Sequence, residues 1–291
     1  MKKILILSIV LNVFFSLNIF GEGEGVLIDG LYYVLFEESD EAIVANGNNT
    51  WNGELRIPEK ITYHEKNYTV AYIKSLAFMN CNGLTQVFIP SSIKDILHVY
   101  QNLDRYKNPF IYCINLDSIN VDHDNQYLTS QDGVLFDKEK KGLYAYPSGN
   151  SRVSYNVPEG TTRIYDLAFE GSKNLACIQI PTSVNRIGGS AFAGCTLDAL
   201  VIHGILKDDI TQDIFQYMDT STVIYTQICQ IEKIQKIYKG KVLPLSDYSL
   251  RISELHQLKE NETIFDLQGR RLSRIPAKGL YIKNGKKFVS R

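Results

Sequence analysis

A single tryptophan, five histidines and almost no net charge, with 31 Lys and Arg against 32 Asp and Glu, leave this chain of 291 residues poor in the materials of several chemistries. The histidines His64, His98, His123, His203 and His256 are scattered without metal-ligand spacing, so no histidine-based metal centre is expected. The sequence has no Gly-Lys-Ser phosphate loop, no nucleophile elbow and no HExxH, so neither an enzyme nor a cofactor is expected. The body carries no basic stripe, which a nucleic-acid partner would require. Asp122 to Asn125, "DHDN", offers oxygen atoms to calcium but lacks the full loop pattern and directly follows a predicted strand, so a polar turn is the expectation.

One long apolar run is present. Lys2 and Lys3 precede Ile4 to Val13, and the run continues through Phe20 to the small residue Gly21. A basic start, an apolar centre and a small-residue end predict a cleaved secretory signal over residues 1–21. No cysteine follows the run, so a lipid anchor is not indicated. Charge is uneven beyond this point: from residue 261 onward eight Lys or Arg face only Glu262 and Asp266, giving a basic tail on an acidic body.

The body repeats itself. An aromatic, a small residue three places on, an aliphatic three further, and two aliphatics spaced two apart recur four times. The copies are Phe78, Cys81, Leu84, Val87 and Ile89; Phe110, Cys113, Leu116, Ile119 and Val121; Phe169, Ser172, Leu175, Ile178 and Ile180; and Phe192, Cys195, Leu197, Leu200 and Ile202, the last one residue short between Cys195 and Leu197. The final pair in each copy has strand periodicity, pointing to one side, and Pro90 and Pro181 then stop the strand. Val184, Ile187 and Ala191, spaced three and four apart, predict a helical or 3₁₀-like return. A single copy cannot bury its apolar side, whereas stacked copies share a core. The anchors lie 32, 59 and 23 residues apart, and the longest gap holds "GVLF" and "GLYAY", a predicted hairpin.

These spaced positions, and "IPTSVNRIGGSAFAGCTLDAL" above all, resemble the BspA-like leucine-rich repeats of bacterial surface proteins. The similarity extends to "GLYYVLF" and "YLTSQDGVLFDKEKKGLYAYPSGN" and spans roughly residues 25 to 225. It implies an exported binding protein at the cell surface, outer membrane or in the periplasm, in a family linked to adhesion to host proteins. The expected fold is α/β, a leucine-rich-repeat solenoid of short parallel strands with irregular or helical returns.

The expected division is a signal at 1–21, an N-terminal β cap at 22–75, the repeats with their hairpin insertion at 76–245 and a small basic β module at 246–291. "LYYVLF", "EAIVA", "ELRIP" and "YTVAYI" are read as antiparallel cover strands, and "ILKDDITQDIFQYM" and "ICQIEKIQKIY" as helical cover at the other end. In the tail, "IFDL" and "GLYI" are predicted strands and Asn284-Gly285 a hairpin turn. The tail resembles short C-terminal modules of secreted bacterial proteins, some of them sorting signals, and is equally readable as a basic cap.

Cys81, Cys113 and Cys195 share one repeat position with Ser172. A disulfide between neighbours is geometrically conceivable, but a small buried hydrophobe at a crowded turn fits the position better. Cys177, between inward positions, is expected to face outward and to be the reactive cysteine. Gln86 and Phe88, Ser118 and Asn120, Cys177 and Gln179, and Ala199 and Val201 are the expected outward residues. Gln86, Phe88, Asn120 and Gln179 are the candidate binding residues, for a protein or glycan ligand outside the cytoplasm; a neutral face of this kind also simply fills a sheet surface. Eighteen tyrosines and Trp51 raise the alternative of carbohydrate binding or processing.

Overall fold

The computed structural model describes residues 25–47, 51–97, 106–207 and 213–250, and beyond these the backbone of 264–265, 271–272, 279–283 and 286–290. The predicted signal at 1–21 lies outside the described residues, as does most of the stretch from His98 to Pro109. The chain divides into two compact units at Val242 and Leu243.

The first unit is mostly strand, with few helices. Its strands are β1 (Gly25–Ile28), β2 (Leu31–Phe36), β3 (Glu41–Ala45), β4 (Asn52–Arg56), β5 (Lys60–Tyr63), β6 (Lys66–Lys74), β7 (Gly83–Ile89), β8 (Asp95–Leu97) and β9 (Ser118–Val121). There follow β10 (Leu128–Gln131), β11 (Val134–Asp137), β12 (Gly142–Ala145), β13 (Ser154–Asn156), β14 (Arg163–Ile164), β15 (Cys177–Ile180), β16 (Arg186–Ile187), β17 (Ala199–Ile202) and β18 (Val223–Thr226). A 3₁₀ turn at Ile228–Gln230 runs into α1 (Ile231–Gln235), and β19 (Val242–Pro244) lies at the boundary.

β1 to β3 form an antiparallel meander. Leu31, Tyr33 and Leu35 of β2 are buried, and the residues between them are half-buried, the period of a strand with one face in a core. Asp29 and Gly30 join β1 to β2 with both φ positive, the tight turn that suits twisted strands. β6 continues the sheet parallel to β3, and β5 and β8 pair with β6. β4, expected among the antiparallel cover strands, instead runs parallel to β7, with Leu55 opposite Val87. The reason is legible in its residues: Leu55, Ile57 and Pro58 repeat the spacing of Val87, Ile89 and Pro90, and both aliphatics are buried.

The repeats stack in parallel, but in two sheets. One has the order β4-β7-β9, and in the other β13, β15, β17 and β18 follow one another. The predicted hairpin enters between them, as β11 against β12, with β10 on its outer side. Of the twelve expected inward aliphatics, eleven are buried and Val121 packs partly buried on the core.

The helical return does not form. Arg163–Ile164 and Arg186–Ile187 are β14 and β16, parallel rungs continuing from β12. Neighbouring repeats supply their hydrogen bonds, as from Asn185 N–H to the Thr162 carbonyl (3.0 Å) and from Gly188 N–H to that of Ile164 (2.8 Å), so a strand satisfies the backbone where a single helical turn would leave ends open. The expected helix in "ILKDDITQDIFQYM" is also absent from its described part: 213–217 form turns. "ICQIEKIQKIY" does carry the 3₁₀ turn and α1.

Two stacks of rings run through the repeats, one on each side of the hairpin. Phe78 stacks on Phe110 (5.4 Å between centroids), Phe169 on Phe192 (5.7 Å), and Phe192 on Phe215 (6.5 Å). Tyr146 stacks on Phe169 (5.3 Å), and Tyr238 meets Phe215 edge-on (5.5 Å). Each such pair adds about 0.5–1.5 kcal/mol beyond the area it buries. Residue three after each Phe closes the turn: the N–H groups of Cys81, Cys113, Ser172 and Cys195 donate to the carbonyls of Phe78, Phe110, Phe169 and Phe192. The thiols of Cys113 and Cys195 donate to the carbonyls of Phe78 and Phe169, each at 3.0 Å, so the repeat-position cysteines are buried turn-fillers rather than a disulfide pair.

In the second unit, β20 (Ile264–Phe265), β21 (Arg271–Leu272), β22 (Gly279–Lys283) and β23 (Lys286–Ser290) form an antiparallel sheet in the order β21-β20-β22-β23. Lys283 lies opposite Lys286, the register of the predicted hairpin.

Candidate strand-face site

The parallel register of β4, β7 and β9 sets two rows of outward side chains side by side. Glu54, Gln86 and Ser118 form one row; Arg56, Phe88 and Asn120 form the other. Leu55, Val87 and Ile119 alternate with them and point into the core, which fixes every outward residue by the two-residue period. The Arg56 guanidinium lies 3.7 Å from the centroid of the Phe88 ring, and Glu54 approaches Arg56 at 3.8 Å. Asn120 donates from Nδ2 to Ser118 Oγ (3.2 Å). The surface is a flat aromatic–guanidinium platform bordered by two amides, with one charge of each sign, able to stack on a planar group and to hydrogen-bond in several directions.

Three of the four candidate residues, Gln86, Phe88 and Asn120, therefore come together. Gln179 does not join them: it sits on β15, between Asn156 of β13 and Val201 of β17, in the other sheet. Ala199 and Val201, expected outward, are buried, as is Tyr225 beside Val201 on β18. A face made of Ala, Val and Tyr side chains is apolar enough to require cover. Phe88 does not present a bare apolar face, because Arg56 lies over its ring. Arg56 and Glu54 escaped the sequence reading although Leu55, Ile57 and Pro58 carry the signal that places them.

Trp51, the ring suggested for sugar stacking, packs against the core and donates from Nε1 to the Glu54 carbonyl (3.0 Å). A Cβ at Gly30, where φ is +83°, would come within 2.9 Å of its ring. Asp122, His123 and Asp124 cluster at the surface, with His123 Nδ1 3.4 Å from Asp122 and Nε2 3.3 Å from Asp124. Asp122 also accepts the Asp124 N–H (2.9 Å), a polar turn. Asn125 is fully buried and braces the corner, donating to the Pro90 and Ile93 carbonyls and accepting from Tyr127 and Leu128. Cys177 is half-buried, whereas Cys229 is exposed, so exposure favours Cys229 as the reactive cysteine. Among the described residues no helix is long and apolar enough to cross a membrane.

The family model for the BspA type leucine-rich repeat region matches in six copies, over residues 58–132 and 142–243. No curated protein matches. Solved structures with similarity include a leucine-rich repeat protein of Treponema pallidum, 15% identical over 75% of this chain and 98% of that one, with a TM-score of 0.36. A leucine-rich repeat protein of Bacteroides capillosus is 20% identical over 62% and 100%, with a TM-score of 0.31. A leucine-rich cell surface protein of Faecalibacterium prausnitzii is 17% identical over 70% and 88%, with a TM-score of 0.30.

Proposed function

This chain belongs to the BspA type leucine-rich repeat family, and from that premise we propose that it is an exported, non-enzymatic binding protein acting in protein recognition or adhesion. The carrying observation is the double row Glu54, Gln86, Ser118 and Arg56, Phe88, Asn120 on three parallel strands. A sheet holds such rows without having to order a loop first, so binding avoids that entropic cost. A charged residue of each sign beside amides and a ring suits a protein surface, which is mixed in the same way.

In this reading the repeats form a solenoid, the β1–β3 meander covers its first repeat, and the basic second unit serves in surface attachment. Export rests on Lys2, Lys3 and the apolar run that follows them. The test is retention of extracellular-matrix proteins by the mature protein, compared with Phe88→Ala, Arg56→Ala and Asn120→Ala. Retention of every ligand unchanged by all three variants removes the strand face from the proposal.

A further inference from the structure

The residue two places after each stacked Phe is a left-handed turn position. Its φ is +65° at Asn80, +61° at Tyr112, +70° at Gly171, +69° at Gly194 and +60° at Tyr217. Glycine and asparagine are the usual occupants of such a position, and a bulky side chain there is strained. At Tyr217 the fold gains little burial, because the residue is 75% exposed. The N–H of Gly194 donates to the Tyr217 carbonyl (3.0 Å), a bond that glycine at 217 would make equally well. Tyr112 shares this conformation but is half covered and lines no part of the cleft beside Tyr217, whereas Tyr217 combines strain, exposure and that cleft, and the combination points toward function.

A cleft opens beside this ring. Met218 and Tyr238 are its buried apolar side, and Gln216, Tyr217, Thr220 and Lys239 stand exposed at its rim. The Tyr238 wall is fixed, because its hydroxyl donates its one proton to the Thr222 carbonyl (2.7 Å), with the Asp219 carbonyl also within reach (2.9 Å), and Gln235 Nε2 donates to the carbonyls of Tyr238 and Gly240. An exposed aromatic face with an amide, a hydroxyl and an ammonium around it matches a pyranose ring, which offers an apolar C–H face and a rim of hydroxyl donors and acceptors.

We propose that the cleft between the turns at Phe215 and Tyr238 is a glycan-binding site in which Tyr217 is the stacking ring and Gln216, Thr220 and Lys239 are the polar contacts. It is separate from the strand face, on different elements, and stands whether or not that face binds protein.

The experiment is an oligosaccharide array, covering hexoses, N-acetylhexosamines and uronic acids, probed with the full chain and with Tyr217→Gly, Tyr217→Phe and Tyr112→Gly. Glycine at 217 relieves the strained φ, so thermal stability stays level or rises while retention of the captured glycan falls about tenfold or more. Tyr217→Phe keeps the stacking face and retains binding. Tyr112→Gly makes the same backbone change at a turn outside the cleft and leaves binding intact. No retained oligosaccharide, equal retention by Tyr217→Gly, or equal loss in Tyr112→Gly overturns the proposal. Loss of matrix-protein binding in the strand-face variants with glycan binding preserved separates this site from the other.

Discussion

Glu170 accepts the backbone N–H of Tyr112 on Oε2 at 2.9 Å, bridging 58 residues of chain. Between regular repeats this role belongs to a carbonyl: the N–H of Asn80, the matching position one repeat earlier, donates to Ile111 O at 3.0 Å. Where the hairpin interrupts the stack, side chains take over. Asn108 makes a second such bridge, donating to the Leu167 carbonyl (2.8 Å) and accepting from Phe110 N–H (2.9 Å).

That replacement gives stability a dependence on pH. Burial pushes the Glu170 carboxyl up, against the opposing pull of the Tyr112 N–H and of Lys173. A carboxyl raised on folding binds its proton more tightly in the native state, so its contribution is fully present below the unfolded value of about 4.3 and is lost as pH rises through the higher folded value. Glu170→Gln keeps an acceptor for Tyr112 and removes the charge. Thermal melts across this range should therefore show the variant gaining on the parent as pH rises, whereas Glu170→Ala, which strands the N–H, should lose about 1–3 kcal/mol. Parallel curves for parent and Glu170→Gln would count against a buried charge here.

Thiol reactivity should follow burial. The Cys113 and Cys195 thiols are pushed up to about 12 by burial, and Cys81 is raised for the same reason. Since the thiolate is the nucleophile, iodoacetamide at pH 8 should modify exposed Cys229 in the folded protein and reach Cys113 and Cys195 only in denaturant. Peptide mass spectrometry after each treatment reads the order directly.

The strands and their inward aliphatics were legible because each copy carries its own two-residue period, which fixes the inward set; burial of the opposite set, as at Ala199 and Val201, depends on what covers the sheet and has no such period. Three ring positions were not. Tyr146, Phe215 and Tyr238 fall on the same 23-residue step as Phe169 and Phe192, but tyrosine at 146 and 238, and Met218 where the other copies have a small residue, hid the pattern. The site was half legible. On β4, β7 and β9 the outward residues follow from alternation, while which strands lie side by side depends on the hairpin, whose entry separates Gln179 from Asn120 into different sheets. The strand-like return was missed because spacings of three and four occur wherever buried residues flank a turn.

The ring stack through Phe192 should be the costliest place to cut. Phe192 is fully buried between Phe169 and Phe215. Phe192→Ala leaves a cavity in two stacking contacts and should cost about 3–5 kcal/mol in urea unfolding, with Phe192→Leu costing less. A loss under 1 kcal/mol would mean that the neighbouring rings close the gap.

Arg56 and Phe88 invite a sharper test than single truncations. An exposed guanidinium over a ring contributes about 0.5–1 kcal/mol, so a double-mutant cycle of Arg56→Ala and Phe88→Ala in urea unfolding should return a coupling of that size. Binding then separates the two possible roles of the pair. If the bare ring were the group a partner meets, Arg56→Ala would uncover it and strengthen binding. With the guanidinium lying 3.7 Å from the ring centroid, the partner meets the stacked pair, so Arg56→Ala and Phe88→Ala should weaken retention alike and the double variant should lose little more than either. Tighter binding by Arg56→Ala would assign the contact to the phenyl face alone.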